Sequence, residues 1–292
     1  MRGRAPGAAA ELALVGVALA WGLSFAVIKD ALAAVPPHWL IALRFGLAFA
    51  AFAAAGPGRL LRAGAPTWRA GIAVGALLYL AFALQTLGLQ HTTPARSAFL
   101  TGCSVLLVPV LERVLLGRRA SPALAVGVGL ALVGLALLLH PGSLLELNRG
   151  DLLTFACAFA FAGHILALGR YALRVPSRDL AALQILAVAA FATPVAVASE
   201  PIALDYPARA WGAVVFLGLV CSAFAFGAQT WAQRRTSPSR TALILALEPV
   251  FAAGASVALG MERLGPAEWL GGALVVAGVV LSGRSRLAQL DP

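Results

Sequence analysis

The composition of this 292-residue chain excludes a soluble globular domain. Hydrophobic residues make up 61% of the chain, charged residues only 12%, and the mean hydropathy is +0.89. No globular interior can bury so much apolar surface, so most of the chain must face lipid. The formal net charge of +10 would suit a nucleic-acid partner. The distribution of the basic residues, described below, makes that partner unnecessary, and we expect no nucleic acid.

Ten apolar segments are long enough, at about 20 residues, to cross a hydrocarbon core about 30 Å thick. Backbone groups in lipid must be bonded within the segment, and runs of this length without alternation exclude a β-barrel. Arg2 and Arg4 before the first segment resemble a signal peptide, but the segment is too long for one and has a counterpart later in the chain. The sequence predicts an all-α membrane protein with ten transmembrane helices, at residues 12–30, 38–56, 67–90, 95–116, 122–140, 151–171, 179–200, 209–233, 239–260 and 266–283.

A short motif occurs twice, and its copies are offset by 144 residues. An earlier block repeats at an offset of 140, which matches Glu11 with Asp151 and Ser24 with His164. The chain is therefore one module used twice. The two copies of the motif are Pro94-Ala95-Arg96-Ser97-Ala98 and Pro238-Ser239-Arg240-Thr241-Ala242.

The repeat defines two predicted domains, residues 1–145 and 146–292. Each holds five helices, which is an odd number, so the second domain enters the membrane from the opposite side. The two five-helix repeats are therefore inverted, an arrangement typical of carriers that expose one site alternately to each side.

The basic residues predict the orientation. With the N-terminus in the cytoplasm, sixteen of the 22 basic residues fall in cytoplasmic segments and five in outer segments, and Arg44 lies inside the second helix. This positive-inside bias predicts a multi-pass protein with both termini in the cytoplasm. We expect a bacterial inner membrane as its location.

Four short features occur in the two halves of the chain: Trp21-Gly22-Leu23-Ser24-Phe25, Arg44, Leu247-Glu248-Pro249-Val250-Phe251-Ala252 and Leu259-Gly260-Met261-Glu262. They resemble the EamA-type modules of the drug/metabolite transporter superfamily, and the resemblance covers essentially the whole chain. It implies a ten-helix exporter of small metabolites, with amino-acid exporters as the best-described members. One departure is Arg118, which stands where the second repeat has Glu262 and suggests a structural or gating asymmetry.

Glu248 lies about 14 Å into its helix, near the midplane, where a carboxylate is costly unless paired, neutralised or hydrated. Function is the default interpretation, and a protonated structural carboxyl is the alternative. The matching helix of the first repeat carries hydroxyl groups at i, i+4 and i+7, on Ser97, Thr101 and Ser104. Such a stripe is more often interhelical hydrogen bonding than a ligand site. Inverted symmetry brings Ser104 and Glu248 to one depth, so we expect them to face each other across a cavity.

Other polar residues have two interpretations each. His164 could carry a proton, although a lone histidine is more often a packing residue. Gln85 and Gln229 are symmetry mates that could line opposite gates or bond neighbouring helices. We expect Arg44, about a turn and a half from the outer surface, to snorkel or to pair with Asp30 in a structural role.

Aromatic residues offer walls for a cavity, although Trp21, Phe25 and Tyr79 could each simply belong to the bundle core. With them, the predicted substrate-binding residues are Glu248, Ser104, Thr101, Ser97, Trp21, Ser24, Tyr79, His164, Gln85 and Gln229.

The sequence carries no pattern typical of an enzyme. An intramembrane enzyme needs a nucleophile with a base, or metal ligands at fixed spacing, and neither is present in the sequence. The cysteines, Cys103, Cys157 and Cys221, lie inside predicted spans and indicate neither disulfides nor a metal site. We expect a transporter without a cofactor. A facilitative channel is an alternative, because some channels also contain inverted duplications.

The charges inside the spans limit the substrate. A polyanion would need several basic residues at the midplane to offset its desolvation, and only Arg44 is assigned to the interior of a span. We therefore expect export of neutral, zwitterionic or weakly cationic solutes by alternating access, and the family resemblance favours neutral and aromatic amino acids. Efflux of hydrophobic cationic drugs is the alternative, since Glu248 and the aromatic residues would also serve a cation. Protons are a candidate coupling ion.

Glycines at i and i+7 mark two symmetry-related helices, as Gly127 and Gly134 in one and Gly271 and Gly278 in the other. Such flat stripes indicate close helix packing. They could support the core of each module or a homodimer, and the sequence leaves both interpretations open.

The inverted topology predicts opposite labelling of the two motif copies. We expect cysteines introduced at Pro94 and Pro238, in a variant without its native cysteines, to react with a membrane-impermeant reagent from opposite sides of the membrane. Side-specific labelling of oriented vesicles measures this. Reaction of both cysteines from one side would refute the inverted repeat.

Overall fold

The computed structural model describes residues 7–56, 58–138, 147–201, 205–258 and 263–287. Within these ranges all regular structure is helical, and it includes a 3₁₀ turn at Leu60–Arg62 and a π-helical segment at Leu219–Phe224. The α-helices are α1 (Ala8–Ala31), α2 (Pro37–Ala54), α3 (Ala65–His91), α4 (Pro94–Gly102), α5 (Ser104–Leu116), α6 (Pro122–Leu138), α7 (Arg149–Tyr171), α8 (Ser177–Ser199), α9 (Ala208–Gly218), α10 (Ala225–Gln233), α11 (Pro238–Leu245), α12 (Glu248–Ala258) and α13 (Pro266–Leu287).

These helices make up the ten predicted spans. Eight stretches of the described chain are long and apolar enough to cross a membrane, and α6 is a shorter apolar helix of 17 residues. The tenth span consists of α11 and α12 together. The prediction of an all-α membrane protein with two five-helix repeats is confirmed, whereas the run that ends at Glu262 lies outside the described residues.

Three spans that the sequence presents as continuous are interrupted. The segment 95–116 breaks at Cys103, the segment 239–260 breaks after Leu245, and the segment 209–233 contains the π-helical turn. Pro249 explains the second break, because it lacks the N–H that would bond the carbonyl of Leu245. The first break has no proline at the matching position and follows Gly102, whose helix propensity is low.

The repeated motif is a helix start. The side chain of Thr93 caps α4 by accepting a hydrogen bond from the backbone N–H of Arg96, and Ser237 caps α11 through the N–H of Arg240. The proline that follows each cap occupies the first helical position, where its missing N–H costs nothing. The motif therefore fixes where the fourth and ninth spans begin and places one arginine at the first turn of each.

The arginines of the motif join the two repeats. Arg96 binds the carboxylate of Asp151 at the start of α7, through Nε at 3.0 Å and through Nη2. Arg240 binds Glu11 near the start of α1, with distances of 3.0 and 2.9 Å. Each arginine thus forms an ion pair with the acidic residue near the start of the first helix of the other repeat.

Backbone contacts at glycines bring helices of opposite repeats together. A Cβ added at Gly22 in α1 would lie 2.6 Å from the carbonyl oxygen of Glu248, and one added at Gly88 in α3 would lie 2.8 Å from that of Gly150 in α7. Only a residue without a side chain permits such approaches. The first helix of each repeat therefore packs into the other repeat.

The predicted glycine stripes face each other across the repeats. A Cβ at Gly134 in α6 would lie 2.5 Å from the carbonyl oxygen of Gly271 in α13, and one at Gly127 would lie 2.7 Å from that of Gly278. The stripes therefore form neither the core of a single module nor a homodimer surface. They join the last helices of the two modules, so they no longer support the hypothesis of a homodimer.

This packing predicts that Gly134→Ala destabilises the protein by about 1–3 kcal/mol, because the added methyl group must displace the backbone of α13. Gly129→Ala is the matched control in the same helix, since nothing lies within 4 Å of a Cβ at Gly129. Thermal unfolding of the detergent-solubilised variants compares them. Equal melting temperatures for the two variants would contradict the α6–α13 contact.

Candidate functional site

A cavity lies between the two repeats and receives side chains from both. It encloses about 560 Å³ of empty space, open solvent at its mouth included. We call it the central cavity. Its lining residues are Trp21, Ser24, Arg44, Phe82, Gln85, Thr101, Gly102, Ser104, Phe161, His164, Ile165, Gln229, Leu245 and Glu248.

Eight of the ten residues that the sequence nominated lie on this lining. The other two lie elsewhere. Ser97 is fully buried at the start of α4. Tyr79 in α3 contacts the imidazole of His38 at 3.4 Å and stacks near Phe191. The hydroxyl stripe of the fourth span therefore meets the cavity only through Thr101 and Ser104, because Ser97 is two turns away from Ser104.

Glu248 is the first residue of α12, directly after the break in the ninth span. Its side chain lines the central cavity, and it has neither a hydrogen-bond nor an ion-pair partner among the described residues. Its symmetry mate Ser104 begins α5 after the break in the fourth span and lines the same cavity. Both breaks therefore open onto the cavity, where irregular backbone in a membrane protein is tolerated.

Arg44 lies in the central cavity, where the sequence had placed it near the surface. It is 2% exposed, and its Nε donates to Ser222 Oγ at 3.1 Å. The expected pair with Asp30 is wrong, because Asp30 binds Arg209 at 2.6 Å at the rim of the bundle. No carboxylate within the described residues forms an ion pair with Arg44.

The packing around Arg44 explains its depth. Its guanidinium lies 4.7 Å from the ring centre of Phe82 and 5.2 Å from that of Phe45, so two aromatic faces stabilise the charge. Ser222 belongs to the π-helical turn, a type of distortion that is frequent at functional sites. One signal in the sequence could have located Arg44: the offset of 140 pairs it with Gln184, another polar residue inside a predicted span.

The charges of the cavity break the symmetry of the repeats. The offset of 140 pairs Ser24 with His164, and the offset of 144 pairs Ser104 with Glu248. The carboxylate and the imidazole come from the second repeat, whereas the guanidinium of Arg44 comes from the first. A nearly symmetric scaffold thus holds one cation and one carboxylate around a common space.

His164 is held by a chain of buried hydrogen bonds. Its Nε2 lies 2.9 Å from Gln184 Oε1, Gln184 Nε2 donates to Thr230 Oγ1 at 2.9 Å, and Thr230 Oγ1 donates to the carbonyl of Phe226 at 2.6 Å. Because the amide nitrogen of Gln184 is used as a donor, its oxygen accepts from His164, and Nε2 carries the proton. This geometry fixes the orientation of the imidazole at the cavity wall.

The two symmetry-related glutamines differ in their side-chain hydrogen bonds. Gln85 donates from Nε2 to Thr101 Oγ1 at 3.1 Å, whereas the side-chain oxygen of Gln229 is buried without a partner in the described chain. An unsatisfied buried acceptor costs free energy unless a ligand or water completes it. Because Gln229 lines the cavity, its oxygen is available to a bound donor.

Aromatic rings complete the walls. Trp21 donates from Nε1 to the carbonyl of Cys221 at 2.9 Å, which anchors the indole to the π-helical turn. Phe82 and Phe161 meet edge to face, with ring centres 5.5 Å apart. The cavity therefore offers apolar surfaces beside a guanidinium and a carboxylate, which suits a small amphipathic molecule with both charges.

The comparisons with known proteins agree with this architecture. A transporter of Archaeoglobus fulgidus, described as uncharacterized, is 30% identical over 277 residues, which cover 93% of this chain and 85% of the relative. The uncharacterized transporter YyaM of Bacillus subtilis is 26% identical over 284 residues, covering 91% of each protein. A solved crystal structure, 26% identical, superposes with a TM-score of 0.78 and covers 97% of this chain and 99% of its own.

The family match follows the internal repeat. Residues 8–140 and residues 148–284 each match the EamA-like transporter family. Together the matches include the glycine contact at Gly22, both copies of the arginine motif and every residue of the central cavity. The chain belongs to the EamA-like transporter family.

Proposed function

We propose that this protein exports small zwitterionic metabolites by alternating access, and that its substrates are neutral and aromatic amino acids. One observation carries the proposal. Arg44 and Glu248 line the same cavity, and neither forms an ion pair within the described residues. A buried charge such as that of Arg44 is costly without a counter-ion, and Glu248 lacks one too, so a substrate that supplies both counter-charges would stabilise the site.

The two charged side chains would each bind a different group of an amino acid. The guanidinium of Arg44 suits an α-carboxylate, because it offers several N–H donors in a plane. The carboxylate of Glu248 suits an α-ammonium, and the free side-chain oxygen of Gln229 provides a further acceptor. Trp21, Phe82 and Phe161 would contact an apolar or aromatic side chain.

A polyanionic substrate fits the site less well. Among the described residues that line the cavity, Arg44 is the one arginine or lysine, and Glu248 would repel phosphate groups. Efflux of hydrophobic cations is the second candidate, because Glu248 and the aromatic walls favour a cation. Arg44 argues against it, since a cationic drug would leave this buried guanidinium without a counter-charge.

The cellular setting belongs to the same proposal. We propose a bacterial inner membrane as the location, with both termini in the cytoplasm, and the excess of basic residues in the segments on one side supports this orientation. Protons are the proposed coupling ion, and Glu248 is the proposed carrier, because His164 is held in a hydrogen-bond chain.

We expect Glu248→Gln to lower the affinity for a transported amino acid by about tenfold or more while leaving the protein folded, because the ammonium loses a charged partner. Ser104→Ala, at the symmetry-related position, removes only a neutral hydroxyl and should cost a few-fold at most. Ligand binding to the purified variants measures both. Unchanged affinity, exchange and pH response in Glu248→Gln would reject both the binding and the proton-carrying role.

Arg44→Gln tests the other charge through substrate choice. An amino acid and the amine that lacks its carboxylate compete for transport in proteoliposomes. We expect the unaltered protein to prefer the amino acid and Arg44→Gln to reduce that preference about tenfold, because only the amino acid loses an ion pair. Stronger competition by the amine or by hydrophobic cations in the unaltered protein would support drug efflux, and competition by sugar phosphates would overturn both candidates.

A further inference from the structure

Two symmetry-related ion pairs close the bundle at opposite ends. Glu11, which binds Arg240, and Lys29, which lies beside the Asp151–Arg96 pair, are both in α1. They are eighteen residues apart in the sequence, which is about 27 Å along a helix. Trp21 of the central cavity lies between them. We call the two regions the Glu11 end and the Asp151 end.

Each ion pair joins segments of opposite repeats. At the Asp151 end, the carboxylate of Asp151 also accepts from Thr92 Oγ1 at 2.6 Å and from the backbone N–H of Asn148 at 3.0 Å. At the Glu11 end, Arg240 also donates to the carbonyl of Val279 at 2.6 Å and to the hydroxyl of Ser282. Either region would have to separate for the cavity to open on its side.

We propose that the Arg96–Asp151 and Arg240–Glu11 pairs are the two gates of the transport cycle, and that each open state breaks one pair and keeps the other. The same inverted symmetry that duplicates the motif supplies both gates. A carrier must never open both ends at once, and an ion pair at each end, of which one stays formed while the other breaks, satisfies that requirement. The proposal rests on transport by alternating access and does not depend on the substrate.

The two gates are unequal. The side chain of Asp151 is 0% exposed, whereas that of Glu11 is 29% exposed. Lys29 reinforces the Asp151 end by donating to the carbonyls of Leu89 at 2.5 Å and Thr92 at 3.0 Å, and the matching position at the Glu11 end is Gly169.

The solvent around the Glu11 end also weakens its gate. Arg240 and Ser282 border a second cavity of about 1210 Å³, open solvent included, that also contacts Glu112 and Arg118. Water competes with an exposed ion pair more strongly than with a buried one. The Glu11 gate therefore opens more readily than the Asp151 gate.

A reporter cysteine at Ser104 in the central cavity tests the gates without any substrate. The three native cysteines are replaced, and a membrane-impermeant thiol reagent is applied from either side of oriented vesicles; cysteines at Pro94 and Pro238 identify the two sides. Arg96→Gln/Asp151→Asn removes one gate without leaving a buried charge, and Arg240→Gln/Glu11→Gln removes the other. Asp30→Asn/Arg209→Gln is the control, because this exposed pair also joins the repeats but has no symmetry-related copy.

We expect Arg96→Gln/Asp151→Asn to raise the labelling rate from the Pro94 side about tenfold and to lower it from the Pro238 side. The Arg240→Gln/Glu11→Gln variant should do the reverse, and the control should match the parent. Lys29→Gln should act in the same direction as the loss of the Asp151 gate, and more weakly, which keeps the test available if a double variant does not fold. Equal changes from both sides, or no change in any variant, would show that the ion pairs only hold the helices together, and would overturn the proposal.

Discussion

The structure depends on two ion pairs that join the two copies of one module. Arg96 and Arg240 come from the repeated motif, and each forms an ion pair with an acidic residue in the first helix of the other copy. A charged side chain at a helix end in a bilayer needs a partner, and neither module places its own acid within reach of its own arginine. The modules can satisfy these charges only by packing against each other in opposite orientations.

The cavity is a consequence of the same packing between the two repeats. The first helix of each repeat inserts into the other repeat, and Gly22 allows α1 to contact the backbone at Glu248. The fourth and ninth spans break at symmetry-related positions beside that contact. Backbone groups freed by a break would be costly against lipid, but they are tolerated where they border a cavity. The fold thus places its irregular backbone and its polar side chains around one central space.

Symmetry explains the scaffold, and departures from symmetry explain the chemistry. Two charged residues of the cavity have uncharged symmetry mates: Arg44 is matched by Gln184, and Glu248 is matched by Ser104. A strictly symmetric site would carry two guanidinium groups and two carboxylates. Divergence of the two repeats leaves one of each, so the cavity offers one guanidinium and one carboxyl group within a nearly symmetric arrangement of helices.

The sequence by itself determined the lipid environment, the ten spans and the repeat, because apolar length and periodic offsets are local properties of a chain. It also nominated most of the cavity lining, since a carboxylate such as Glu248 at the midplane is too costly to be accidental. Only the tertiary structure decided which residues meet. The depth of Arg44 depends on the aromatic rings packed around it. The break at Cys103 has no proline that would predict it, and the glycine stripes of α6 and α13 pack against each other across the repeats. Such pairings are set by helix packing between distant segments, which a single sequence does not encode in any local pattern.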